Sequence, residues 1–250
     1  MVITTVLITG ANRGIGKGLV SAYLRKDNTI VIAACRNPFA EQAEDLHSLP
    51  CGSNSNLIIV PLSLHDPDSF IEMAQVLHLE HNISHIDVVV ANAGICNHFG
   101  LMSEMTDFDL RTHLEVNTFG PSRLFRAMIP FLRASQQEAK FVYVSTELAS
   151  LAVLDRNKKP LTNAYGMSMV AGNYFVRRLH FENEELVAFA IDPGFVQTDM
   201  GNRGAHAKGL EMAPLTVDQS ADGIVRQIQQ ATKSTTSGQF LSHCGEALPW

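Results

Sequence analysis

Several things are scarce in this 250-residue chain, and each scarcity narrows what it can be. Its four cysteines, Cys35, Cys51, Cys96 and Cys244, show no C-x-x-C spacing, which suits reduced thiols in an intracellular protein better than a disulfide framework. No apolar run approaches the roughly 18 residues of a membrane helix, and the first apolar run already reads as a strand rather than a leader. No membrane contact is expected, and the expected location is cytoplasmic. Basic residues are not in excess: 19 Lys and Arg stand against 25 Asp and Glu, a net charge of -6 that offers no footprint for nucleic acid. No internal repeat, low-complexity tract or linker interrupts the chain, so one domain over 1–250 is the economical reading. His78, His81 and His85 have spacings of three and four, but Asn82 breaks any shared helix face, and no metal site is expected.

What is present begins at Val6 to Gly18, V-L-I-T-G-A-N-R-G-I-G-K-G. An apolar run from Val2 to Ile8 ends in Thr9-Gly10, and glycines at 10, 14 and 16 remove side chains where the backbone must turn into a helix. Such a turn brings a pyrophosphate close to main-chain N–H groups at a helix N-terminus, where the dipole favours negative charge.

The periodicity then alternates. Helical spacing over Ile15–Lys26 is followed by an apolar, β-branched run at Thr29–Cys35, a more polar helix over Phe39–Leu49, and a strand at Asn56–Leu62. Asp66-Pro67 reads as an N-cap followed by proline at the first helical position, opening a helix to about Leu79. Strands are expected at His85–Ala91, Lys140–Ser145, Leu186–Ile191 and Phe240-Leu241. Helices are expected from Glu104, over Leu110–Ala134, over Asn163–His180 and over Thr216–Ala231. Strands alternating with helices imply right-handed crossovers, hence a doubly wound parallel α/β sheet of about seven strands with helices on both faces.

In such a sheet the end of the second strand meets the adenosine ribose, where an NAD site places Asp or Glu. Here Cys35 and Arg36 occupy that place, and Arg13 lies in the glycine turn. Two guanidinium groups and no carboxylate suit a 2′-phosphate, so the expected cofactor is NADP(H).

The spacing T-G-x-x-x-G-x-G resembles the first turn of the short-chain dehydrogenase/reductase family, classical type. The same family likeness continues in Asn92-Ala93-Gly94, in Asn117 of L-E-V-N-T, in V-S-T-E, in N-A-Y-G-M-S around Tyr165, and in Pro193-Gly194 with F-V-Q-T-D-M. The resemblance runs from residue 9 to about 200 and implies a single-domain Rossmann fold. It also implies cofactor contacts at Gly10, Asn12, Arg13, Gly14, Ile15, Gly16, Arg36, Asn92, Ala93 and Gly94, with Pro193, Gly194, Val196 and Thr198 bordering nicotinamide and pyrophosphate. Ser63 and Leu64, in L-S-L-H-D, stand where the family often has an Asp against adenine. The helices Leu110–Ala134 and Asn163–His180 form dimer faces in many such proteins, so a homo-oligomer, dimer or tetramer, is implied. The wording of L-V-A-F-A-I-D-P-G-F-V-Q-T-D-M-G-N and of the closing S-G-Q-F-L-S-H-C-G-E-A-L-P-W is similar to the fungal norsolorinic acid ketoreductase-like branch, which acts on aromatic polyketide ketones.

By the same resemblance the proton donor is Tyr165, which also borders the cofactor, with Asn117 holding a water chain. The assisting hydroxyl is Thr146, with Ser145 as its fallback. The family's Lys, four residues after the Tyr, is missing: Met169 stands there, without charge or donor. Lys158 and Lys159, in a polar insertion at Asp155–Leu161, are read as solvated. Three readings follow: an NADPH-dependent ketoreductase acting on an apolar or aromatic small molecule, a scaffold for redox-neutral dehydration, isomerisation or cyclisation, and a non-catalytic nucleotide-binding protein. Ile95–Leu101, Leu148–Leu154 and Phe195–Ala213 are expected to wall the substrate pocket, with His98, Phe99, Phe195 and Met200 making it roomy and apolar. Glycine-rich Gly201–Leu210 is expected to be either a mobile lid or a plain surface loop.

Overall fold

Strands form where β-branched and apolar residues run together and are cut off by polar or turn residues. T-I-V-I-A-A-C fits this in full: β2 spans Thr29–Cys35 and stops at exposed Arg36. In the computed structural model, which describes residues 3–156 and 161–250, seven such runs form one sheet. They are β1 (Thr4–Thr9), β2, β3 (Asn56–Pro61), β4 (Val88–Ala91), β5 (Lys140–Val144), β6 (Val187–Asp192) and β7 (Phe240–Ser242). The order is β3-β2-β1-β4-β5-β6-β7, and every pairing is parallel. The doubly wound α/β fold expected from the alternation is therefore present. Its direction of winding reverses between β1 and β4, which opens a crevice at their carboxyl ends.

The intervening helices are α1 (Gly14–Leu24), α2 (Glu41–Glu44, running into a 3-10 turn at Asp45–Ser48), α3 (Pro67–Leu79) and α4 (Asp107–Leu114). They continue with α5 (Gly120–Arg133), α6 (Asn163–Glu182), α7 (Asp199–Ala207) and α8 (Val217–Gln230). Alternation along the strands divides the core in two. Leu7, Ile32, Phe141 and Tyr143 pack with Phe70, Leu124, Met128 and Val176 of α3, α5 and α6, while Val6, Ile8, Val142 and Phe189 pack with Leu19, Val20, Ile224 and Ile228 of α1 and α8. Each such side chain, fully buried, contributes about 1.5–3 kcal/mol, and the sheet is clamped from both faces.

The expected continuous helix at Leu110–Ala134 is interrupted: Glu115–Phe119 is a single π-turn between α4 and α5. Such turns carry one extra residue in the helical ring and recur at functional sites. The Gly201–Leu210 expectation is corrected as well, since most of that stretch is helical in α7. The Thr198 hydroxyl caps α7 by accepting from the Gly201 N–H at 3.0 Å. Residues 157–160, including Lys158 and Lys159, lie outside the described residues. Among the described residues no helix is long and apolar enough to cross a membrane.

Candidate functional site

The glycine turn after β1 is built to leave backbone exposed. Gly10 and Gly14 adopt φ of +64° and +52°, and a Cβ on Gly16 would lie 2.1 Å from the Gly10 carbonyl oxygen. Thr9 closes the neighbouring strand end: its hydroxyl accepts from the N–H groups of Asn92 and Ala93 at 3.1 and 3.0 Å, and Asn92 Nδ2 donates to the Thr9 carbonyl at 2.8 Å. The α1 N-terminus has no side-chain cap and no acidic residue in its first turn, unlike α3, α4, α7 and α8, whose capping side chains Asp66, Thr106, Thr198 and Thr216 accept from the N–H groups of Asp68, Asp109, Gly201 and Gln219. First-turn N–H groups at α1 are thus left for an anion. Arg36 is exposed and, among the described residues, makes no ion pair or hydrogen bond, whereas exposed Arg13 pairs with Asp199 at 3.1 Å. Ser63 and Leu64 follow β3. The Leu64 carbonyl accepts from Arg123, and the Leu64 side chain lies over Gly120 at the start of α5.

The other half of the site forms where β4, β5 and β6 end beside α6. Asn117, in the π-turn, is buried and fully pinned: its Oδ1 accepts from the Ile95 N–H, while its Nδ2 donates to the Ile95 carbonyl and to Ser168 Oγ, all at 2.9 Å. Ser168 Oγ in turn donates to the Tyr165 carbonyl at 2.7 Å, and Thr118 Oγ1 donates to the Ser168 carbonyl at 2.8 Å. The π-turn is thereby fastened to the first turns of α6, which fixes where Tyr165 stands. Gly94 permits this approach, since a Cβ there would meet Asn117 Oδ1 at 3.2 Å.

Of the two hydroxyls at the end of β5, the structure brings Thr146 to Tyr165 and not Ser145. Ser145 is buried and donates to Asn173 Oδ1 at 2.5 Å, a contact within the fold. The Thr146 hydroxyl lies near enough to the Tyr165 phenol to oppose its upward shift, and it caps the short 3-10 turn at Glu147–Ala149 by accepting from the Leu148 N–H at 3.3 Å. Val196 is buried, with its neighbours bridging to Leu215. Gly194, at φ +80°, gives its N–H to Asp192 Oδ2 at 2.9 Å.

Burial pushes the Tyr165 phenol well above its ordinary range; Cys96 and Asp192 add to this, and Thr146 opposes it. The phenol therefore keeps its proton. Burial also raises the Cys96 thiol to about 12, against the pull of Arg203. The Asp192 carboxyl is raised by burial too, although it accepts from the N–H groups of Glu147 and Gly194 at 2.8 and 2.9 Å. Among the described residues, no cation takes part in the hydrogen bonds or couplings around Tyr165.

Two of the three expected pocket walls, Ile95–Leu101 and Phe195–Ala213, are joined by a hydrogen bond. Arg203 Nη2 donates to the Cys96 carbonyl at 3.3 Å, carrying α7 across to the loop after β4, and Asn163 Nδ2 donates to the Gly100 carbonyl at 2.9 Å. His98 contributes a buried Nδ1 without a partner among the described residues. Tyr143, Cys96, Asp192 and Arg203 were not singled out by the sequence. Tyr143 reads there as one more strand residue, and Arg203 sits in what looks like loop.

A Gly-x-x-x-Gly-x-Gly turn at the switch point, facing a Tyr–Thr–Asn group at the next strand ends, defines an oxidoreductase of the short-chain type. The sequence pattern described as short chain dehydrogenase matches residues 4–208, and the chain belongs to that family. It is 44% identical to norsolorinic acid ketoreductases of Dothistroma septosporum and Aspergillus parasiticus, over 99% of this chain in both cases and 92% and 91% of those proteins. Among solved structures it is similar to the NADPH-bound carbonyl reductase from chicken fatty liver, at TM-score 0.87 and 30% identity over the whole of both chains.

Proposed function

We propose that this protein is an NADPH-dependent ketoreductase acting on a ketone of an aromatic or polycyclic secondary metabolite. The observation that carries the reading is the protonated Tyr165 phenol with Thr146 close by, on the helix turn fastened to pinned Asn117 and at the same sheet edge as the uncapped α1 turn. The 44% identity to two norsolorinic acid ketoreductases supports the substrate class.

The residues fit NADP(H). Gly10, Gly14 and Gly16 give a side-chain-free approach to the diphosphate, flanked by Asn12, Arg13 and Ile15, and unpaired Arg36, with Arg13, meets the 2′-phosphate. Ser63 and Leu64 border adenine, Asn92, Ala93 and Gly94 the adenosine, and Pro193, Gly194, Val196 and Thr198 the nicotinamide side. A bound dihydronicotinamide supplies the hydride for the carbonyl carbon. Tyr165 donates its proton to the carbonyl oxygen, which leaves a secondary alcohol, while Thr146 hydrogen-bonds the same oxygen and Asn117 holds the frame. Without a cation at 169 the resulting tyrosinate is poorly stabilised, a loss typically worth about 10²-fold in rate. A substrate whose carbonyl is already hydrogen-bonded by a neighbouring phenol lowers that demand, which suits polycyclic phenolic ketones.

Stretch 195–213, with α7, covers the substrate. Four free cysteines suit a reducing cytoplasm, and exposed Phe108, Phe119, Tyr174 and Phe181 on α4, the π-turn and α6 suit a homo-oligomer. Met169 is the observation favouring a second reading, redox-neutral chemistry with Tyr165 as acid. NADPH consumption against a panel of aromatic ketones decides: turnover with stoichiometric alcohol supports the reductase, and conversion of substrate without cofactor supports the second reading.

A further inference from the structure

One turn after Tyr165, Met169 is buried in the core face against the sheet. It does not lie alone. The Tyr143 hydroxyl, rising from β5, reaches Met169 Sδ at 3.2 Å and donates to the main-chain carbonyl of Asn117 at 2.9 Å. The phenol has one proton, and a carbonyl is a far better acceptor than a thioether, so the Asn117 bond holds it and the sulfur packs beside it. Helix α6 has a notch for this phenol at Gly172, where a Cβ would stand 2.2 Å from Tyr143 Oη. Three residues on two elements thus shape one interior contact beneath Tyr165.

We infer that Tyr143 is a positioning residue that holds the Asn117 main chain, and that its hydroxyl takes the carbonyl acceptor an amine at position 169 would need. Tyr143 and Met169 then act as one unit. A buried amine costs heavily without acceptors, and the Asn117 carbonyl is already engaged by the hydroxyl that lies against Met169 Sδ, so a cation at 169 is disfavoured while that hydroxyl remains. Removing the hydroxyl alone leaves the Asn117 carbonyl short of a donor and frees Asn117 to shift. Removing it together with the thioether opens a place for an amine to replace it. This rests on the reading of Tyr165 as the acid.

The test is a four-member cycle of wild type, Met169→Lys, Tyr143→Phe and the double variant, read by kcat and by calorimetric binding of NADP+. The expected result is that Tyr143→Phe lowers kcat about tenfold with KM little changed, the scale of one lost buried hydrogen bond. Met169→Lys alone gains no more than about twofold in either measure, while the double variant exceeds wild type by about tenfold in kcat and binds NADP+ more tightly, a strong positive coupling. Additive effects, or Met169→Lys alone matching the double, overturn the inference. Should the double variant melt below assay temperature, Tyr143→Phe alone decides: wild-type kcat with only a lower Tm means a merely structural tyrosine. NADP+ binding reads without turnover. Absence of ketone reduction in every variant would therefore count against the acid assigned to Tyr165, while coupling in affinity still decides this point.

Discussion

Replacing Arg36 by Ala probes the cofactor assignment at a residue that contributes little else. Its side chain is exposed at the end of β2 and, among the described residues, has no hydrogen bond or ion pair, so its loss leaves Tm unchanged to within about 0.5 kcal/mol of stability. Against a 2′-phosphate the guanidinium makes charge-assisted bonds worth about 1.5–3 kcal/mol each, and solvent screening at this exposed edge favours the lower end. The affinity for NADPH is therefore expected to fall about tenfold, while that for NADH, which lacks the phosphate, is expected to stay level. Arg13 cannot fully compensate, because its guanidinium is paired with Asp199 at 3.1 Å. Fluorescence titration of both nucleotides on both proteins reads the ratio, and raised salt should shrink the gap. Equal losses for NADPH and NADH, or no loss for either, would refute the placement of the 2′-phosphate.

Gly16→Ala is expected to destabilise by at least about 1–3 kcal/mol, since its Cβ would stand 2.1 Å from the Gly10 carbonyl oxygen and backbone cannot yield as a side chain can. A melting curve several degrees below wild type agrees with this, and an unchanged one means the turn is not as drawn. Asp192 gives a pH prediction. Burial raises its carboxyl above the ordinary carboxylate range, so the folded chain holds this proton after the unfolded one has lost it. Its contribution to stability is full below about pH 3.9 and is lost as pH rises through the elevated folded value. Asp192→Asn removes that component, so its unfolding free energy should fall less than that of wild type as pH rises through this range. Parallel curves by denaturant titration would contradict it.

Much of the frame was legible because local chemistry and tertiary context agree. Strand β2 has the bounds its apolar run implies, and Asp66-Pro67 opens α3 as a cap followed by proline does. The glycine turn could be read because three missing side chains are themselves the signal. Other features depend on contacts distant in sequence. The stretch after Thr198, rich in glycine and poor in apolar residues, has the composition of a loop, yet the Thr198 cap, buried Ala205 and the Arg203 bond to the Cys96 carbonyl fold it as α7. The π-turn at Asn117 leaves no mark in a helical period of this length; it is set by Ile95 and Ser168, 22 and 51 residues away. The division of labour between Ser145 and Thr146 follows from the alternation of a strand end. Ser145 turns toward Asn173 and Thr146 toward Tyr165. Tyr143 was hidden for the same reason: nothing in K-F-V-Y-V tells a core phenol from one that bonds a main-chain carbonyl on another element.

The most direct measurement uses NADPH carrying deuterium at the transferring position of the nicotinamide ring, with an aromatic polyketide ketone as acceptor and Tyr165→Phe in parallel. Mass spectrometry of the alcohol should show one deuterium on the former carbonyl carbon, formed at least about 10²-fold more slowly by the variant. An alcohol without that deuterium, or a variant as fast as wild type, would contradict the account.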